Sequence, residues 1–124
     1  MTTVVFDVGN VLLNWDAKIP YRDHFDTESQ IDAFFAEIDF YKWNQSLDAG
    51  KDWDRGVEEL ISLHPNLETE IRIFDERWHE TIPVAIEQSV AVLKRLIGRH
   101  EPVYAITNFA SRRWIECLDR FPFL

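Results

Sequence analysis

The chain carries a single cysteine, Cys117. No intrachain disulfide is possible, which excludes a small secreted scaffold held by disulfides and fits a reducing compartment. Cys117 falls in an apolar-periodic stretch and reads as a core residue, not a nucleophile. Basic residues are also few: 13 Lys and Arg stand against 22 Asp and Glu, a net charge of −9. Nothing in that balance would drive the counterion release on which nonspecific nucleic-acid binding depends. Long apolar runs are missing as well. The opening Met1-Thr2-Thr3-Val4-Val5-Phe6 has no basic flank and is too short for a signal peptide or a membrane span. The expectation is a soluble, cytoplasmic protein without nucleic-acid or membrane partners. Internal repeats and low-complexity tracts are absent, so a solenoid is not expected.

What the sequence does have is apolar material. Hydrophobic residues make up 46% and aromatics 14%, enough for a packed core and against disorder. Val4-Val5-Phe6 is apolar on both faces and suits a buried parallel strand entering Asp7. Thr27 and Gln30 form a capping box ahead of Ile31, Phe34, Phe35 and Ile38, which share one helical face. A loop is expected around residues 43–51. Trp53, Val57, Leu60 and Ile61 mark a helix that Pro65 stops, and Ile71, Phe74 and Trp78 mark another. Ile86, Val90, Leu93 and Ile97 give an amphipathic helix with Gly98 just past its end. Pro102 to Ile106 reads as a second strand. Ser111 is placed to cap a last helix carrying Trp114, Ile115 and Leu118.

The order is strand, helical insertion, helix, strand, helix. A parallel crossover of that kind brings the ends of both strands, Asp7 and Thr107, to one sheet edge although about a hundred residues separate them. A charge after a buried strand is costly unless something pairs with it. An Asp beside Asn10 is also an ordinary turn former. Gly9, which lets the backbone approach a ligand, and the second polar pair, Thr107-Asn108, favour a site.

Val4-Val5-Phe6-Asp7-Val8-Gly9-Asn10-Val11-Leu12 resembles the first motif of the haloacid dehalogenase (HAD) superfamily. Val103-Tyr104-Ala105-Ile106-Thr107-Asn108 resembles its second motif. The helical stretch between them stands where that family inserts a cap. The resemblance implies an α/β fold, a Rossmann-like core with a parallel sheet and a helical cap after the first strand. Residues 1–16 would open the core with the nucleophile loop, 17–81 would form the cap, and 82–124 would return to the core.

The resemblance further implies a phosphatase-like hydrolase using Mg²⁺ on a small phosphorylated metabolite. Asp7 would be the nucleophile, forming an aspartyl-phosphate, and would ligate Mg²⁺ together with the Gly9 carbonyl. The Thr107 hydroxyl and the backbone N–H groups around Asn10 and Asn108 would hold the phosphoryl oxygens. Trp15 at the hinge, and Asn44, Gln45 and Asp48 in the expected cap loop, are the candidates for substrate contact. The four His have no metal-ligand spacing.

Gly9 stands where many members carry a second Asp that protonates the leaving oxygen. This Asp-x-Gly-Asn-Val form is similar to that of sugar-1-phosphate phosphatases, whose leaving groups are better. A general acid contributes about 10²–10⁴-fold, so slow turnover of alkyl phosphates is expected. The family's third motif, a Lys, and its fourth, an acidic pair completing the metal shell, lie beyond the second strand, whereas the sequence stops at Leu124. A fragment lacking a C-terminal half, or a chain completed as a homo-oligomer, is therefore expected, with an apolar sheet edge left open. The alternatives are a 2-haloacid dehalogenase and a catalytically inactive fragment or binding module.

Overall fold

A computed structural model describes residues 3–124. Strand β1 (Val4–Asp7) is followed by helices α1 (Glu28–Ile38), α2 (Phe40–Asp48), α3 (Trp53–Leu63), α4 (Glu68–Glu76) and α5 (Glu87–Gly98). Strand β2 (Val103–Ile106) and helix α6 (Ser111–Arg120) close the order. The Rossmann-like α/β core expected from the sequence is not what forms. Among the described residues the chain is mostly helical, with six helices and only a two-stranded parallel sheet. The physical reason lies in the apolar patterning. Only the two four-residue runs at β1 and β2 pair as strands, and Val11-Leu12-Leu13 folds into a turn instead of extending the first one.

The two strands pair in parallel from Val4 beside Val103 to Asp7 beside Ile106. One face of the pair is covered: Phe6 and Val103 pack on a cluster of Leu12, Val90 and Leu93 beneath α5. The other face carries Val5, Tyr104 and Ile106, which are 51%, 63% and 60% exposed. The expectation concerned an open strand edge; what the exposures show is an open apolar face.

The helices of residues 17–81 pack around aromatic rings. Phe35 and Phe40 stack with centroids 4.1 Å apart, and Phe40 meets Phe74 edge-on at 4.9 Å. This core is continuous with Val8 and Leu13 behind β1 and with Cys117 on α6. Two chain segments join the halves side by side. Asp16 N–H donates to the Thr81 carbonyl at 2.8 Å, Asn14 N–H to Val84 at 3.0 Å, and Ile86 N–H to Leu12 at 2.7 Å. No helix among the described residues is long and apolar enough to cross a membrane.

Local signals account for some helix ends. The Thr27 hydroxyl accepts the Gln30 N–H at 3.2 Å, while the Gln30 side chain accepts the Asp26 N–H at 2.8 Å. Asp39 takes a left-handed φ of 51° and separates α1 from α2. Three local expectations are corrected. Residues 43–48 lie on α2 and are not a loop, because Phe40, Asn44 and Leu47 bury one helical face. Gly98 is the last helical residue of α5, and His100 carries the left-handed φ of 58°. Ala110, not Ser111, caps α6, and that helix buries Arg113 and Cys117 while Ile115 and Leu118 stay exposed. Cys117 is buried as expected, and burial pushes its thiol up to about 11, which suits an inert core residue.

Candidate functional site

The carboxyl end of the strand pair opens into a cavity of about 180 Å³. From the β1 side it is lined by Asp7, Gly9 and Asn10, and from the β2 side by Asn108, Phe109 and Ala110. Parallel pairing produces this meeting, since Asp7 is level with Ile106 and each chain then turns away. Asp7 is exposed, and its Oδ1 accepts the Val8 N–H at 2.8 Å. No ion pair engages it among the described residues.

The loop after Asp7 is tightly wound. The Val8 carbonyl accepts the N–H groups of Leu12 and Leu13, both at 3.0 Å. Asn10 makes the reversal with φ of 59°, a conformation Asn tolerates better than most residues. Its Oδ1 accepts the Trp15 N–H at 2.8 Å, which holds Trp15 at the cavity wall. The Asn10 N–H donates to the Leu13 carbonyl at 2.6 Å. It is therefore not free to bind phosphoryl oxygens as the sequence suggested, and the side-chain amide is the group Asn10 offers. Thr107 is displaced from its expected role. It does not line the cavity, and its hydroxyl accepts the Phe109 N–H at 3.1 Å. Asn108 does line it.

Helix α2 supplies Asn44 and Asp48, one turn apart and both lining the cavity. Gln45, the third candidate there, is exposed and points elsewhere. Helical spacing explains the split, because neighbours in sequence leave a helix about 100° apart. Burial pushes the Asp48 carboxyl up to about 6, against an opposing pull from the Ala110 backbone N–H. Among the described residues no salt bridge or side-chain donor engages it.

Sequence reasoning missed Trp53, Trp78, Phe109 and Arg113, all at this wall. Arg113 is 5% exposed, with its guanidinium 4.0 Å from the Trp53 ring centroid and 5.4 Å from that of Trp78. It donates to the Asp75 carbonyl at 3.0 Å, to Asp75 Oδ1 at 2.9 Å and to Glu116 Oε1 at 2.9 Å. Trp53 Nε1 donates to the same Asp75 oxygen at 2.7 Å. Burial lowers the Arg113 pKa, while Glu116 and Asp75 act against that. Its Nε–H is buried without a partner. An arginine one turn before Cys117 reads as surface by default, so only the face shared with Cys117 could have signalled it.

Among the described residues, no group of three or more His, Cys, Asp or Glu is arranged to hold a metal. Mg²⁺ asks for less, since it commonly takes one or two carboxylates and fills its shell with water and substrate phosphate. Asp7 Oδ2 and the Gly9 carbonyl are hard oxygens of the kind it needs, and no backbone N–H among the described residues is bonded to that carbonyl. The donor set fits a water-rich Mg²⁺ held by few protein ligands.

No family model, curated protein or solved structure matches this chain.

Proposed function

We propose that this chain is a hydrolase of small phosphomonoesters, working through an aspartyl-phosphate on Asp7 with Mg²⁺. The observation that carries the reading is the cavity at the strand ends. It gathers Asp7, Gly9, Asn10 and Asn108 from the two HAD-like motifs with Trp15, Asn44 and Asp48 from the intervening segment. The resemblance rests on those motifs and not on a layered sheet.

Asp7 attacks phosphorus, the bond to the leaving oxygen breaks, and water then cleaves the aspartyl-phosphate to release inorganic phosphate. Asp7 Oδ2 and the Gly9 carbonyl would hold Mg²⁺, which when bound offsets the repulsion between the carboxylate and the anionic ester. The Asn10 amide and the Asn108 backbone N–H are the donors for the phosphoryl oxygens. Trp15, Trp53 and Trp78 line the same cavity and supply an apolar wall for the organic part of the ester.

The test is initial rates on a panel of phosphate esters. Wild type with Mg²⁺ should turn over at least one ester, and chelation should abolish the rate. Asp7→Asn should lose more than about 10³-fold, as expected for removal of a nucleophile. A variant rate near wild type would sink the assignment. A 2-haloacid dehalogenase would use the same Asp on carbon and need no metal, so halide release that persists in chelator would replace this reading with that one.

A further inference from the structure

We propose that Asp48 is the proton donor to the leaving group, supplying from the cap the acid that Gly9 does not provide; this rests on the phosphatase reading of Asp7. Position 9 carries no side chain to donate a proton, and a Cβ built there would only meet the Phe109 ring in ordinary contact, at 3.4 and 3.5 Å. Asp48 enters the same cavity from α2, opposite in sequence and element to the strand that carries Asp7. It is the second carboxyl group on the cavity wall.

The surroundings suit that task. The charged groups that face Asp48 across the cavity are Asp7 from β1 and Arg113 from α6. Arg113 is already committed to Asp75 and Glu116. Two nearby cations on flanking segments are committed too: Lys51 pairs with Glu59, and Arg112 with Asp54 at 2.7 Å. Among the described residues no cation pairs with Asp48, and burial raises its carboxyl to about 6. A general acid works best with a pKa near the operating pH. Asn44, one turn earlier on α2, lines the same cavity and would orient the leaving group.

The proton balance closes. As the Asp7 oxygen bonds to phosphorus, the bond to the leaving oxygen breaks and its electron pair takes the Asp48 proton. Asp48, now a carboxylate, accepts a proton from the water that attacks the aspartyl-phosphate. Asp7 departs as a carboxylate, phosphate is released, and Asp48 is again protonated. The slow alkyl turnover expected from Gly9 alone then belongs to a chain without Asp48.

The experiment compares Asp48→Asn with wild type on an alkyl phosphate and on p-nitrophenyl phosphate, both with Mg²⁺. The alkyl ester needs a proton at its leaving oxygen, and the nitrophenolate does not. In kcat/KM, which reports the steps up to aspartyl-phosphate formation, the alkyl ester should lose about 10²–10⁴-fold and the aryl ester should stay near wild type, while loss of the base step lowers kcat for both. The wild-type alkyl profile should decline above the Asp48 pKa, and the variant should lose that limb. Equal losses of kcat/KM on both esters would overturn the proposal while leaving Asp7 as nucleophile. Absence of any Mg²⁺-dependent rate in wild type would overturn both. Independently of turnover, carboxyl-carbon NMR of the wild-type protein should find Asp48 titrating near 6. A value near 4, the ordinary Asp range, would overturn the proposal alone.

Discussion

A methyl group at position 56 has almost no room. A Cβ built on Gly56 would lie 2.6 Å from Leu47 Cδ2, and Leu47 is fully buried where α3 crosses α2. Gly56→Ala should therefore cost about 1–2 kcal/mol, as overpacking outweighs the gain in helix propensity of about 1 kcal/mol. Gly98, with nothing within 4 Å of its Cβ position, is the control. Gly98→Ala should be neutral or slightly stabilising in urea denaturation, and a stabilised Gly56→Ala would show that α2 and α3 do not pack this closely. Single residues were legible in the sequence where type and place agreed. Asp7, Gly9, Asn10 and Asn108 reach the cavity as the motifs implied, and Cys117 is core. Thr107 was misplaced because its hydroxyl prefers a local backbone partner two residues on. Arg113 was invisible because a charged side chain gives no sign that two indole rings will cover it.

At the scale of elements, the contact that ties α3 and α4 to α6 is the Arg113–Asp75–Trp53 network. Arg113 reaches from α6 to Asp75 on α4, and Trp53 on α3 closes the triangle. Arg113→Met keeps much of the apolar stem but leaves Asp75 with an indole donor alone. Breaking a largely buried pair from one side costs about 3 kcal/mol, so thermal unfolding should move down by several degrees. An unchanged melting curve would mean that the aromatic packing alone holds α6. Helices α1 and α3 were legible from apolar spacing, with the Thr27 cap for the first and the Pro65 stop for the second; the Asp52 cap of α3 is seen only in the structure. Helix α2 was not, since Asn, Gln, Ser and Asp between Trp43 and Gly50 read as loop composition. Its burial of Phe40, Asn44 and Leu47 overrides those weak propensities. On α6 the apolar residues Ile115 and Leu118 pointed to the wrong face, because the buried stripe is set by the Arg113 network and Cys117.

For the whole molecule, pairing of β1 with β2 is the step that makes a site, and the sequence carried it through two short apolar runs about a hundred residues apart. The layered α/β core it also suggested does not form, because two paired strands offer one covered face and no further strand among the described residues adds to the sheet. Val5, Tyr104 and Ile106 remain open to solvent on the uncovered face. The cavity is nonetheless lined from the strand ends and from α2, α3 and α6. The central claim is that Asp7 becomes covalently phosphorylated. Its most direct test is to quench the protein with acid during turnover of a phosphate ester with Mg²⁺, digest it, and locate any phosphoryl adduct by mass spectrometry. The account predicts one phosphoryl group on the peptide containing Asp7, removed by hydroxylamine and absent from Asp7→Asn. Turnover with no adduct at Asp7, or with the adduct on another residue, would contradict it.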